Sequence, residues 1–215
     1  MIIDHNWPAY KAKRSQMSGG KHNGAYYYSR EIVKNIIPRV HTTRNWLTIN
    51  NFGPCPNHSI VFIHNNKNPE RYEWLAEQNV QDIILVCGVE STCDKVAHLG
   101  RTIYLPLSID TEAVKRHARN KTGETAYVGR LAKIGGTDLP LETPCICGLP
   151  RERLLDEMAK YRKIYAVGRC AIEARALGCE ILPFDPRYPD PSIWRVVDNA
   201  EAAEMLQREL DKLDA

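Results

Sequence analysis

The sequence predicts an α/β protein built as two tandem halves of about 100 residues, each carrying a mostly parallel sheet. Three observations predict it. Short apolar runs rich in β-branched residues recur along the 215 residues, helical patterns fill the gaps between them, and a polar stretch after Asp110 splits the series in two. A strand, a helix and another strand in succession require a crossover connection, and crossovers make neighbouring strands parallel.

In the first half, Tyr26–Ile37 reads as a helix stopped by Pro38, which has no N–H to continue the ladder. Strand-like runs follow at Trp46–Asn50, Ser59–His64, Asp82–Cys87 and Thr102–Leu107. Pro69–Gln78 is helical, with Pro suited to its first turn, and Glu90–Leu99 is helical up to the stop at Gly100. Met1–Ile3 reads as a further short strand. The halves join near residues 108–122, a charged stretch without an apolar face, so the predicted domains are 1–110 and 111–215. In the second half, Thr125–Val128, Lys163–Val167 and Glu180–Phe184 are strand-like. Arg151–Tyr161, Ala171–Leu177 and the terminal Ala200–Leu213 are helical, and Leu131–Pro150, rich in Gly, Pro and Thr, reads as a loop. Two such halves are expected to face each other, with the C-terminal ends of their strands around one cleft.

Composition narrows the function. With 43% hydrophobic and 26% charged residues the chain is neither fibrous nor disordered in character. Its net charge of +3 is spread without a basic stripe, which argues against a dedicated nucleic-acid site and leaves room for a small anionic ligand. No run is long and apolar enough to span a membrane, and the N-terminus lacks a signal-peptide core. The seven cysteines are an odd set without disulfide-scaffold spacing, so a reduced, cytoplasmic setting is expected. Cys145 and Cys147 resemble half a metal site, but no second pair or paired His stands at zinc spacing, and no metal is expected.

Several residues have the chemistry of phosphate and ribose recognition. Gly129 and Arg130 leave the 125–128 strand, with Lys133 three residues on. Glycine allows close backbone approach, Arg offers a planar fork to phosphate oxygens, and Lys adds a compact charge. Gly168 and Arg169 leave the next strand just before a helix whose start would favour an anion. Glu173, one turn in, can accept from ribose hydroxyls. In the first half, Gly19 and Gly20 precede the Tyr26 helix as a candidate anion cradle. His64 ends an apolar strand, where it could position a sugar hydroxyl or act as acid or base. Each feature has an ordinary reading as well: Arg130 as a surface ion-pair partner, Glu173 as a solvated helix residue, the glycines as a plain loop, and His64 as a structural histidine.

Taken together, these motifs resemble the glycosyltransferases of the two-Rossmann (GT-B) fold, in particular the large retaining group called family 4. Tyr127-Val128-Gly129-Arg130-Leu131 with Lys133 looks like that group's VGRL…K motif, whose Arg and Lys contact the donor diphosphate. Ile172 to Ile181, beginning Ile-Glu-Ala-Arg-Ala-Leu-Gly, is similar to its EAxAxGxPV motif, whose Glu holds the nucleotide ribose. Tyr104–Asp110 matches the segment closing the family's N-terminal domain, Gly19-Gly20 its glycine loop, and His64 its strand-end histidine. Eight residues before Glu173, where the group carries a second acid against the transferred sugar, this chain has Tyr165. The resemblance implies a retaining, metal-independent transferase without a resident cofactor. Its donor would be a nucleoside diphosphate-sugar, UDP-sugars first, and its acceptor is left open. Two other functions are expected to use the same residues: a sugar-nucleotide epimerase or hydrolase, and a non-catalytic sugar-nucleotide binding module.

Overall fold

The computed structural model describes residues 24–48, 55–63, 72–130 and 137–214. The chain divides into two compact units, one drawn from Met1–Pro106 and Asn199–Ala215, the other from Leu107–Asp198. Each contains a four-stranded, all-parallel sheet, giving the Rossmann-like α/β architecture that the alternation predicts.

In the first unit, β1 (Asn45–Leu47), β2 (Ser59–Ile63), β3 (Ile83–Cys87) and β4 (Arg101–Tyr104) lie side by side in chain order. The central strands are buried on both faces, which explains their continuous apolar runs. Alternate residues serve opposite faces. Leu47, Val61, Ile63, Ile83, Leu85 and Cys87 meet Leu75 of helix α2 (Trp74–Glu77) and Val96 of helix α3 (Glu90–Val96). On the other face Phe62 stacks on Trp46 at 6.2 Å and takes the edge of Tyr28 at 6.5 Å. Tyr28 belongs to helix α1 (Gly24–Glu31), which continues as a π turn, Ile32–Ile36, and a 3-10 turn, Ile37–Arg39, around Pro38. The helical segment therefore ends two residues past the predicted end at Ile37, because Pro38 sits early in the tightened turn, where no N–H is needed.

In the second unit, β5 (Gly123–Val128), β6 (Cys145–Ile146), β7 (Tyr161–Tyr165) and β8 (Glu180–Leu182) are ordered β6-β5-β7-β8. Helix α5 (Arg151–Met158) connects β6 to β7, and α6 (Arg169–Ala176) connects β7 to β8. Ala171, Ile172 and Ala174 bury one face of α6. Its end is closed by Gly178 at φ +76°, and Lys121 Nζ donates to the Leu177 carbonyl at 2.8 Å.

Three features differ from the sequence reading. The charged stretch after Asp110 contains helix α4 (Thr111–Lys115), capped by the Asp110 carboxylate accepting from the Ala113 N–H at 2.8 Å. It has a single buried apolar residue, Val114, too little for a periodic signal. The predicted 131–150 loop holds β6, whose two residues are below the length at which alternation is visible. The terminal helix α7 (Asn199–Asp214) packs with the first unit, not with the domain that the reading ran to residue 215. Asn199 Nδ2 donates to Glu31 at 2.7 Å, and Asp214 pairs with Arg44 at 3.0 Å. Met1–Ile3 lies outside the described residues.

Candidate functional site

The strand order of the second unit decides where its ligand site can be. From β5 the chain crosses to β6 on one side, returns to β7 on the other, and then continues outward to β8. This reversal makes a topological switch point at the C-terminal ends of β5 and β7, where connections leave in opposite directions and the sheet edge opens. The first sheet, in plain chain order, has no reversal among its described strands.

Tyr127 of β5 and Tyr165 of β7 are register partners, so the turns leaving these strands start side by side. The β5 turn is Gly129-Arg130. Tyr127, only 1% exposed and edge-on to Phe184 at 5.4 Å, donates its hydroxyl to the Arg130 carbonyl at 2.9 Å. A Cβ on Gly129 would stand 2.3 Å from that hydroxyl oxygen, so glycine is required here by lack of space. Burial pushes the Tyr127 phenol up to about 12, with the thiols of Cys147, Cys170 and Cys145 adding to the shift, so it remains a donor at neutral pH. The Arg130 side chain is exposed and makes no ion pair with a described residue, unlike the ordinary surface partner considered above.

The β7 turn enters α6 through Gly168, at φ +65° and with nothing within 4 Å of the position a Cβ would take. Here glycine is needed for its backbone conformation alone, and the space above it is open. Arg169 opens the helix and Glu173 follows one turn later. Both are buried, Glu173 at 2% exposure. The ordinary reading of Glu173 as a solvated helix residue therefore does not hold. Its Oε1 accepts from Arg169 Nε at 2.6 Å and from Arg151 Nη1 at the start of α5. Both bonds fall on one oxygen, and Oε2 takes no hydrogen bond from a described residue. Two guanidinium groups thus meet one buried carboxylate.

The sequence reading missed Arg151 as a site residue. The periodic pattern placed it correctly at a helix start, but nothing in the sequence shows a bond across 22 residues to Glu173. Of the predicted residues, Arg130, Gly168, Arg169 and Glu173 occur on the two turns at the switch point. Gly19, Gly20, His64 and Lys133 lie outside the described residues. The Asp185–Pro191 loop follows β8 and closes on itself: Asp185, buried, takes the Arg187 side chain at 2.6 Å, and Tyr188 meets Trp194 edge-on at 5.1 Å. Among the described residues no group of three or more His, Cys, Asp or Glu side chains is placed to hold a metal ion, Cys145 and Cys147 included.

A second polar cluster joins three loops at the N-terminal ends of the first sheet. His58 Nδ1 lies 2.6 Å from Asp82 Oδ2, and its Nε2 lies 3.2 Å from Thr43 Oγ1. Arg44, buried, bridges Asp82 at 2.9 Å and Asp214 at 3.0 Å. The hydrogen bond from His58 and the Arg44 guanidinium hold the Asp82 carboxyl below the usual carboxylate range. His58 and Asp82 both adopt positive φ, +58° and +54°, a conformation in which His and Asp are enriched among non-glycine residues. Arg44 thus ties two carboxylates together, and the cluster reads as a clamp.

No protein-family model matches the chain, and neither a curated protein nor a solved structure matches it. Among the described residues no helix is long and apolar enough to cross a membrane.

Proposed function

We propose that the chain binds a nucleoside diphosphate-sugar in its second unit and transfers the sugar to an acceptor, as a glycosyltransferase of the GT-B group. The observation that carries this reading is the meeting of Arg151 and Arg169 on the buried Glu173 carboxylate, beside the switch point of a parallel sheet. Guanidinium groups offer planar forks that match phosphate oxygens, and switch points are where such sheets bind nucleotides. The Gly168 turn, with open space above it, admits a diphosphate to its backbone, Arg130 supplies an exposed charge that no described carboxylate pairs, and Glu173 Oε2 is the atom left to accept from a ribose hydroxyl.

In the transfer, the bond from the anomeric carbon to the diphosphate oxygen breaks and a bond to an acceptor oxygen forms. The acceptor hydroxyl's proton passes to an oxygen of the departing nucleoside diphosphate, which carries the charge developed on its bridging oxygen. Arginines already fixed in place stabilise that charge without reorganising, which is the largest contribution such a site can make. Retention at the anomeric carbon follows from the resemblance.

One feature favours a second reading, a binding module without turnover. Tyr165, at the position of the family's sugar-side acid, turns its ring edge to Phe184 at 6.1 Å, so an aromatic contact replaces a carboxylate. A melting-temperature panel of UDP-, GDP-, ADP- and TDP-sugars on the full chain tests the shared part of both readings. One base is expected to raise the midpoint in a concentration-dependent way. Product analysis with and without acceptor alcohols then separates transfer, hydrolysis and simple binding. No shift with any donor would overturn the proposal.

A further inference from the structure

We propose that Cys179 and Lys121 form a modification site, in which peroxide oxidation of the thiol is trapped by the neighbouring amine as a sulfur–nitrogen cross-link, a sulfenamide. The pair stands at the N-terminal ends of the second sheet's strands, away from the switch point at their C-terminal ends, so the inference is independent of the nucleotide reading.

Three connections meet here. Cys179 follows the Gly178 stop of α6 and precedes β8, and its N–H donates to the Ala174 carbonyl at 2.9 Å. Lys121 precedes β5, where the next two N–H groups, of Thr122 and Gly123, donate to the Lys160 carbonyl at 2.8 and 2.9 Å. Both side chains thus start from backbone fixed by hydrogen bonds. Lys121 Nζ donates to Cys179 Sγ at 3.2 Å, and the thiol donates to the Met158 carbonyl, at the end of α5, at 3.8 Å. The Leu177 carbonyl at 2.8 Å takes one donor of the Lys121 ammonium, and the sulfur takes a second. A cysteine buried only as a small hydrophobe has no need of a cation against its sulfur. Burial pushes the Cys179 thiol up, and Lys121 opposes that shift by favouring the thiolate, the form that reacts with peroxide.

Hydrogen peroxide is the oxidant. The Cys179 thiolate attacks one peroxide oxygen, the O–O bond breaks, and the oxidised sulfur becomes a sulfenic acid. The second oxygen leaves as water with the proton that the thiol gave up. Lys121 Nζ, its ammonium proton released to solvent, then attacks the sulfur. An S–N bond forms, the S–O bond breaks, and the hydroxyl leaves as water with one amine proton. One peroxide is reduced to two waters, and the protein loses two hydrogens. The amine already touches the sulfur, whereas a second peroxide must enter a buried place, so condensation precedes further oxidation.

The test treats the full chain with hydrogen peroxide, folded and in urea. Remaining thiols are alkylated, a protease that cuts after glutamate digests the chain, and mass spectrometry reads the peptides. Oxidation of the exposed Cys145 in the same digest shows that the peroxide acted. The folded chain is expected to yield a Lys121–Cys179 peptide pair two hydrogens lighter than its sum, removed by dithiothreitol and absent from the urea sample. In Lys121→Arg, which keeps the charge, the cross-link is expected to be lost and Cys179 to pass on to sulfinic or sulfonic acid. With Cys145 oxidised, a folded wild type whose Cys179 is a free thiol, a disulfide, or a sulfinic or sulfonic acid would overturn the proposal. So would a cross-link that forms equally in urea. The wild-type digests decide by themselves, whether or not Lys121→Arg folds.

Discussion

Gly129→Ala tests the geometry of the β5 turn without reference to any ligand. The added Cβ would lie 2.3 Å from the Tyr127 hydroxyl oxygen and 2.7 Å from its Cζ. Both distances are far inside van der Waals contact. The phenol cannot easily swing aside, because the ring is buried, held edge-on by Phe184, and tied by its hydroxyl to the Arg130 carbonyl at 2.9 Å. Overpacking of this kind costs about 1–3 kcal/mol, and forcing the hydroxyl off its acceptor adds about 1 kcal/mol, so a loss of about 2–4 kcal/mol is expected. Urea unfolding followed by circular dichroism and tryptophan fluorescence measures it. Tyr127→Phe supplies the control. It removes the closest atom together with the hydrogen bond, so the double variant should lose less than the sum of the two singles, by roughly 1 kcal/mol for directly touching groups. A Gly129→Ala effect below about 0.5 kcal/mol, the level of an ordinary surface change, would refute the argument. Strict additivity in the double variant would refute it as well, since it would mean that the two positions do not meet.

Two further predictions concern backbone conformation and charge. Gly168→Ala is expected to cost about 1–2 kcal/mol through its positive φ alone, since the space above it is open. Gly168→Asn is expected to recover none of the loss in the same unfolding assay, because φ +65°, ψ −138° lies outside the left-handed helical well that Asn tolerates. The Asp82 carboxyl is held below its unfolded value, by His58 first and Arg44 second. Its contribution to stability is therefore complete above about pH 4, near the ordinary aspartate value, and is lost as pH falls through the lowered folded value. Because Asp82 and His58 are both part-exposed, the loss is expected to be about 1 kcal/mol or less. Asp82→Asn keeps a residue tolerant of φ +54° and should flatten that acid limb, and an unaltered pH profile would argue against the clamp.

Much of the fold was legible in the sequence because burial on both faces leaves a local mark. Ser59–Ile63 and Ile83–Cys87 are unbroken apolar runs, and central parallel strands demand that composition. Helix α6 was legible through Gly178, which supplies the positive φ of its stop. The Gly129-Arg130 and Gly168-Arg169 turns were legible as strand exits. Asp110 as cap and Val114 as the buried residue gave too little signal for the five-residue helix Thr111–Lys115 to be seen. The site was legible only in part: Arg169 and Glu173 stand one helical turn apart, a spacing that sequence can show, but Arg151 comes from another helix.

The sequence by itself determined the alternation of strands and helices, the parallel character of the sheets, and the residue types that leave β5 and β7, since all of these depend on near neighbours and on burial. The tertiary structure decided the rest. It placed the two-residue β6 outside β5 and so created the switch point, brought Arg151 onto Glu173, and returned α7 to the first unit. An apolar face specifies that it must be covered and a carboxylate that it must be paired, but neither names its partner. That choice falls to contacts between residues far apart in the chain, whose shared energy no local stretch contains.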